Sequence, residues 1–263
     1  AGATSAFQVK FAADAAYVPS PMFVKRHKLE EVLAHVEATA TLGHVDVHAS
    51  LRHGRLLLGL GRYEESIVWL TRAAQRDPSV AETHQYLGLA HAMAGLLDEG
   101  VATARRAVEL APNSPRAHAF LGVALALHAA STIGLEEGPE ALVFAFDTAA
   151  GSRAFEAADP REHLEVLLAR GRLFTVLPGQ VPGQAEGVAD LEAVLALTTS
   201  RSEEENRLDY PGASDVYRIH ALFYLGVDRW HKGDVELARR YLTECIALDP
   251  GSRFAERAYQ MLG

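Results

Sequence analysis

Apolar residues recur along most of this chain at the three- and four-residue spacing of helices that bury one face. Over residues 22–41 the stripe is Leu29, Val32, Leu33 and Val36, closed by Gly43. Ser20-Pro21 ahead of it reads as an N-cap followed by proline at the first helical position. Near the other end Phe254, Ala258, Met261 and Leu262 share a face. Residues 1–19 break the pattern, because Phe7, Val9 and Phe11 alternate with Gln8 and Lys10 as in an extended arm. The patterning as a whole predicts an all-α protein.

The helical pattern is itself repeated. Gly54, Gly88 and Gly122 lie 34 residues apart, as do Ala73 and Ala107, and Pro78 and Pro112. The copies read His53-Gly54…Ala73…Asp77-Pro78, then Leu87-Gly88…Ala107…Ala111-Pro112, then Leu121-Gly122. A late copy reads Leu225-Gly226…Cys245…Asp249-Pro250. A fixed period of this length marks a stack of one supersecondary unit whose copies bury their apolar faces against each other. These residues resemble the tetratricopeptide repeat, a helix–turn–helix unit. The resemblance implies a right-handed superhelical solenoid of about four such units.

Organisation follows from the register. Residues 1–46 are expected to form an arm and a capping helix, 47–252 the repeat array, and 253–263 a C-terminal cap helix. Within the array the first two copies span 47–80 and 81–114 without insertion. Gly61 and Gly95 occupy their turns, and the second helix of the first copy, Glu64 to Arg76, stops at Asp77-Pro78. A third copy, 115–162, carries an insertion: its proline, expected at 146, comes 14 positions later in Asp159-Pro160. The excess is assigned to Ser131–Pro139 and to a second helix running on to Ala158. A degenerate copy covers 163–199, with Ala189 to Leu197 in its second helix and a wide loop at Pro178-Gly179 and Pro182-Gly183. Residues 200–218 supply an acidic loop and a helix extension beginning at Ser214, and the last copy spans 219–252 with Gly233 in its turn.

Charge narrows the choice of partner. The 25 basic and 34 acidic side chains leave a formal charge of −9, which lacks the basic footprint that phosphate backbones need, so no nucleic-acid partner is expected. No run approaches the ~18 apolar residues of a membrane span. Cys245 is the only cysteine, which excludes an internal disulfide framework. The predominance of arginine over lysine, 21 to 4, points to a bacterial source, and Ala1-Gly2-Ala3 fits the residue that follows an export cleavage. Residence in the periplasm or cell envelope is the expectation, with the cytoplasm as alternative.

In the family this chain resembles, the first helices of successive repeats line a concave groove that holds extended peptides or short helices. Carried over by position, the first repeat contributes His48, Leu51, Arg55 and Leu58. The second adds Glu82, Gln85, Leu89 and Met93, and the third Arg116, Ala119, Val123 and Leu127. The last supplies His220, Phe223, Val227, Trp230 and His231. One subclass grips a terminal carboxylate with Lys, Asn and Arg at such positions. Leu51, Leu89 and Val123 stand at key sites of that clamp here, so the groove is expected to take an apolar or amphipathic protein segment instead. Leu89, Val123 and Leu127 are alternatively covered by the loop 131–139 or by the arm, and Phe223 with Trp230 are either exposed anchors or packed against the fourth repeat.

Catalytic and metal signatures are weak. There is no phosphate-cradling glycine loop, His-Glu-x-x-His pair or Gly-x-Ser-x-Gly elbow. His44, Asp46 and His48 offer at most three ligands near a helix start with no fourth evident, His84 with His91 two, and a zinc site needs three or four converging in a tetrahedron. His84 and His118 share one repeat position, which packing explains, and Glu136-Glu137 and Glu203-Glu204-Glu205 read as solvated loop charges. Cys245 replaces the small alanine of the repeat and reads as packing. The expectation is a non-catalytic interaction scaffold without cofactor or metal. The alternatives are an accessory subunit of a bacterial envelope assembly, and a carrier of a small hydrophobic ligand.

Overall fold

The computed structural model describes residues 46–59, 62–131, 138–175, 183–202, 204–208, 213–251 and 253–263. The expected arm 1–19, the helix 22–41, the Gly61 turn, most of the 131–139 insertion with Glu136-Glu137, and Pro178-Gly179 with Pro182 lie outside these residues. Among the described residues every regular element is helical. Two compact units divide the chain, with residues 46–157 in one and Ala158–Gly263 in the other.

The first unit holds three helical hairpins. They are α1 (Val47–Gly59) with α2 (Tyr63–Arg76), α3 (Ala81–Met93) with α4 (Leu97–Leu110), and α5 (Pro115–Ser131) with α6 (Gly138–Gly151). A single 3-10 turn, Ser152–Ala154, follows. Each helix packs on the next in chain order, and α3 also packs on α5, the stacking expected of a repeat array. The second unit repeats the scheme with α7 (Pro160–Thr175) and α8 (Gln184–Ser200), then α9 (Ala213–His231) and α10 (Val235–Leu248). It closes on α11 (Arg253–Leu262), which packs on α10 and α9.

Small residues set the hairpins. A β-carbon on Gly88 would stand 2.7 Å from the Ala104 backbone nitrogen, and one on Gly122 would stand 2.9 Å from that of Ala149. One on Gly100 would meet the Ala92 nitrogen at 2.9 Å, so α3 and α4 touch backbone to backbone at two levels. At Gly54, Gly171 and Gly226 the obstacle is instead a buried leucine, Leu70, Leu191 or Leu242. In the same slot as Gly100, Ser66 is fully buried and donates its hydroxyl to the Gly54 carbonyl at 2.7 Å. The turns Gly95 and Gly233 take φ of +84° and +78°, a region open to glycine.

The period extends to a hydrogen bond. His84 Nε2 donates to the Pro78 carbonyl at 3.0 Å, and His118 Nε2 to the Pro112 carbonyl at 2.8 Å, each six residues back. His118 also stacks on Phe155 with ring centroids 4.9 Å apart. Packing alone, the sequence reading, therefore understates these histidines: they tie each first helix to the loop before it.

Two sequence expectations need correction. The second helix of the third repeat does not reach Ala158 but ends at Gly151, no longer than its counterparts. The inserted length lies elsewhere. In regular repeats the crossing glycine meets a residue 16 positions on (Leu70, Ala104, Leu242), whereas Gly122 meets Ala149, 27 positions on. That accounts for eleven of the 14 extra residues: four in α5 (17 residues against 13 in α3), three in the connection after it, and four in α6, which starts eleven residues ahead of Ala149 where α4 starts seven ahead of Ala104. The other three coincide with the 3-10 turn.

The second correction concerns Asp-Pro. Asp77 and Asp249 follow helices, and their side chains accept the backbone N–H of Ser79 (2.9 Å) and Gly251 (3.1 Å) in the turn beyond. Asp159-Pro160 instead opens α7. Asp159 accepts the Glu162 N–H at 2.8 Å, Glu162 reaches back to the Ala158 N–H at 2.7 Å, and Pro160 sits at the first helical position. The second helix expected from Ala189 to Leu197 is also longer, running Gln184–Ser200.

Gly88→Ala is expected to lower unfolding stability by about 1–3 kcal/mol, because backbone cannot yield to the added methyl. Gly54→Ala is expected to cost less, since its methyl meets the Leu70 side chain and not backbone. Urea denaturation of both variants measures the order.

Candidate functional site

The first helices of the first unit carry the groove positions. His48 is exposed; Arg55, Glu82 and Met93 are half-buried. Leu51, Leu58, Leu89, Ala119, Val123 and Leu127 are all buried, with Leu89 and Ala119 wholly inaccessible. Gln85 and Arg116 are buried as well. The apolar part of the expected groove is thus core in this structure. The reason is visible in α3 and α5, whose buried residues fall on nearly every side of the helix and not on one stripe. The arm and the loop 131–139, named above as covers, lie outside the described residues or nearly so.

At the edge of that core stands a polar junction of three helices, with Glu82 its most exposed charged member at 30%. Arg55 Nη1 from α1 and Arg116 Nη2 from α5 both approach Glu82 Oε1 on α3, at 3.5 and 3.4 Å. Arg116 Nε donates to Gln85 Oε1 at 2.8 Å, and its Nη1 donates to the Tyr86 hydroxyl at 3.3 Å. Gln85 Nε2 in turn donates to Ser114 Oγ at 3.0 Å. Both guanidinium carbons lie over the Tyr86 ring, 4.9 Å from its centroid for Arg55 and 5.2 Å for Arg116. Phe120 supports that ring edge to face at 5.8 Å. The positions of Arg55, Glu82, Gln85 and Arg116 were legible from the period. Tyr86 and Ser114 were not, although Glu82 and Arg116, opposite charges in one repeat slot, are a signal that adjacent first helices pair there.

In the second unit the groove positions are more deeply committed. His220, Phe223 and Val227 are buried at 1% exposure or less, Trp230 is half-buried and His231 is exposed. Phe223 meets Phe254 of α11 edge to face at 5.0 Å and Tyr224 at 5.3 Å, and His220 lies 4.3 Å from the Phe254 ring. Phe223 is therefore no exposed anchor, and its main aromatic partner is the cap helix, not the fourth repeat. Buried charge holds α7 to α8, where Arg170 binds Asp190 through two bonds of 2.9 and 2.8 Å, and joins that hairpin to the next. Asp228, fully buried on α9, accepts from Gln184 of α8 at 3.0 Å and pairs with Lys232 at 2.9 Å.

The reactive side chains are absorbed by structure. Asp46 Oδ1 caps α1 by accepting the Ala49 N–H at 2.6 Å, while His44 lies outside the described residues. His91 Nδ1 lies 3.3 Å from the Thr103 hydroxyl. Among the described residues no three His, Cys, Asp or Glu converge as a metal site, and no helix is long and apolar enough to cross a membrane. Cys245 is buried where Ala73 and Ala107 are, and its thiol donates to the Ile219 carbonyl at 3.6 Å. Burial, with Asp249 nearby, pushes that thiol up to about 12.

Comparison with known proteins agrees with this architecture. Family models described as Tetratricopeptide repeat match residues 51–115 and residues 220–252. A thermophilic TPR protein of Thermus thermophilus superposes with a TM-score of 0.63 at 19% identity, covering 82% of this chain and 98% of that one. YrrB, described as a TPR protein with an unusual peptide-binding site, gives a TM-score of 0.38 at 16% identity over 82% of this chain and 92% of its own. No curated protein matches the sequence.

Phe223→Ala is expected to destabilise the second unit by about 3–5 kcal/mol, read as a lowered urea midpoint. Cys245 is expected to resist a thiol reagent at pH 8 in the native protein. Its raised pKa keeps the protonated form until well above pH 9, and reaction follows only when urea unfolds the chain.

Proposed function

The chain belongs to the tetratricopeptide repeat superfamily, and from that premise we propose that it is a non-catalytic interaction scaffold for another protein. Its partner presents an apolar or amphipathic segment to the first-helix face of the first unit. The observation that carries this reading is the junction of Arg55, Glu82 and Arg116, where three successive repeats place charged groups together at the edge of an apolar face. A charge cluster serving stability alone would be an expensive choice, since apolar residues at such sites are often as stabilising. The contact begins at the accessible residues His48, Arg55, Glu82 and Met93, and the buried leucines and valines behind them shape the floor. In the second unit His220 and Phe223 are held by Phe254 of α11 and take no part in this contact.

A photo-crosslinking side chain at Met93 is expected to label a bound amphipathic peptide, while the same group at Val68, 49% exposed on α2, leaves it unlabelled. Mass spectrometry of the adducts distinguishes the two. Equal labelling at both positions would remove the first-helix face as the binding surface.

A further inference from the structure

We infer that the outer face of α6 is a second docking surface, which takes an amphipathic helix carrying basic residues one turn to either side of an apolar pair. It is distinct from the first-helix face and does not depend on the reading above. Val143 and Phe144, neighbours on α6, are 54% and 58% exposed, and Phe144 is the most exposed large apolar side chain among the described residues. The glycine crossings put this pair in register with the other hairpins. Counted back from the residue that meets the glycine, the slots of Val143-Phe144 ahead of Ala149 hold Glu64-Glu65 ahead of Leu70 and Asp98-Glu99 ahead of Ala104. All four of those acids are exposed. Exposure therefore belongs to the slot, and what sets the third hairpin apart is the kind of residue placed there. Apolar side chains left in water add nothing to the burial that holds the fold, and they gain only when a partner covers them.

Charge selects the occupant. Glu140 stands one turn before the pair and Asp147 one turn after it, on the same side of the helix and both exposed. In the other hairpins Glu65 is paired with Arg62 and Asp98 with His128. Here, among the described residues, neither the Glu140 nor the Asp147 side chain has an ion pair or hydrogen bond. No basic residue lies on α6, and Arg153 follows only in the 3-10 turn. A partner helix with lysine or arginine at i and i+7, and leucine or phenylalanine at i+3 and i+4, mirrors this face in either direction. A second copy offering the same face would set acid against acid, and an anionic membrane surface or a nucleic acid is repelled likewise. The formal charge of −9 also draws a basic segment from a distance.

The test uses the full chain and a synthetic helical peptide of that pattern, beside a twin whose two lysines are glutamates. Fluorescence anisotropy gives each Kd. The basic peptide is expected to bind roughly tenfold tighter than its twin, the scale of two exposed ion pairs, with the difference shrinking as salt is raised. Phe144→Ser is expected to weaken the basic peptide by about tenfold with helicity unchanged, since the contact loses its largest apolar group. Glu140→Lys combined with Asp147→Lys is expected to reverse the preference, and it decides alone should Phe144→Ser fold poorly. Phe144→Cys is expected to react with a thiol reagent in the free native protein while the buried Cys245 does not. An unreactive thiol at position 144 would mean that the face is already covered, and would overturn the inference. Twins that bind equally, or no binding by either, would overturn it too. Dimerisation lost in Phe144→Ser would assign the face to a second copy instead. Crosslinking at Met93 reports on the first-helix face and is expected to be unchanged by Phe144→Ser, so the two surfaces stand or fall separately.

Discussion

Where two helices of a hairpin cross, the chain permits no β-carbon. At Gly88 and Gly122 the opposing surface is backbone, at 2.7 and 2.9 Å from where that carbon would stand. This fixes the separation of the helices and their rotation about their axes at once. Rotation decides which residues of α3 and α5 face the groove, so the placement of Glu82 and Arg116 descends from glycines that never touch a ligand. At Gly54, Gly171 and Gly226 a leucine closes over the glycine instead. The crossings closed by backbone thus belong to the second and third hairpins of the first unit.

Anchoring at a crossing explains why insertions are tolerated where they occur. The glycine meets its partner 16 residues on in three repeats, 20 on in the fourth (Gly171 with Leu191) and 27 on in the third. In each case the added residues fall in the helix ends that face the turn, in the connection, or after the pair, and the contact itself is kept. Loop closure becomes only slowly more costly with length. An array of local contacts therefore absorbs a long connection that a fold built on distant pairings would resist.

Much of this was legible in the sequence, and the reason differs by element. Hairpins follow from a 34-residue period of Gly, Ala and Pro, because those residues answer a steric demand that recurs. Asp159-Pro160 misled, because the same dipeptide ends a helix through an Asx turn and begins one through a capping box; only Glu162, reaching back, separates the cases. The groove positions were nameable from their register, but their burial was not. An apolar residue on a concave face reads the same whether water or protein lies against it, and Phe223 went to the core because α11 brings Phe254 to it. Tyr86 escaped notice since an aromatic beside a conserved-spacing glycine reads as packing, while here it is the plate on which two arginines rest.

Burial changes what recognition on this face must mean. If the leucines and valines of the first helices were open, the hydrophobic effect would favour almost any apolar segment, and selectivity would be poor. With those side chains in the core, the residues left at the edge are few and polar. Each comes from a different hairpin: Arg55 from the first, Glu82 from the second, Arg116 from the third. A charge cluster built this way keeps its geometry only while three hairpins keep their spacing, since Arg55 and Arg116 reach one oxygen of Glu82 from either side. The glycine crossings and the arginine pair are therefore one device. The first holds backbones at a distance no other residue allows, and the second spans the three hairpins whose spacing is so fixed.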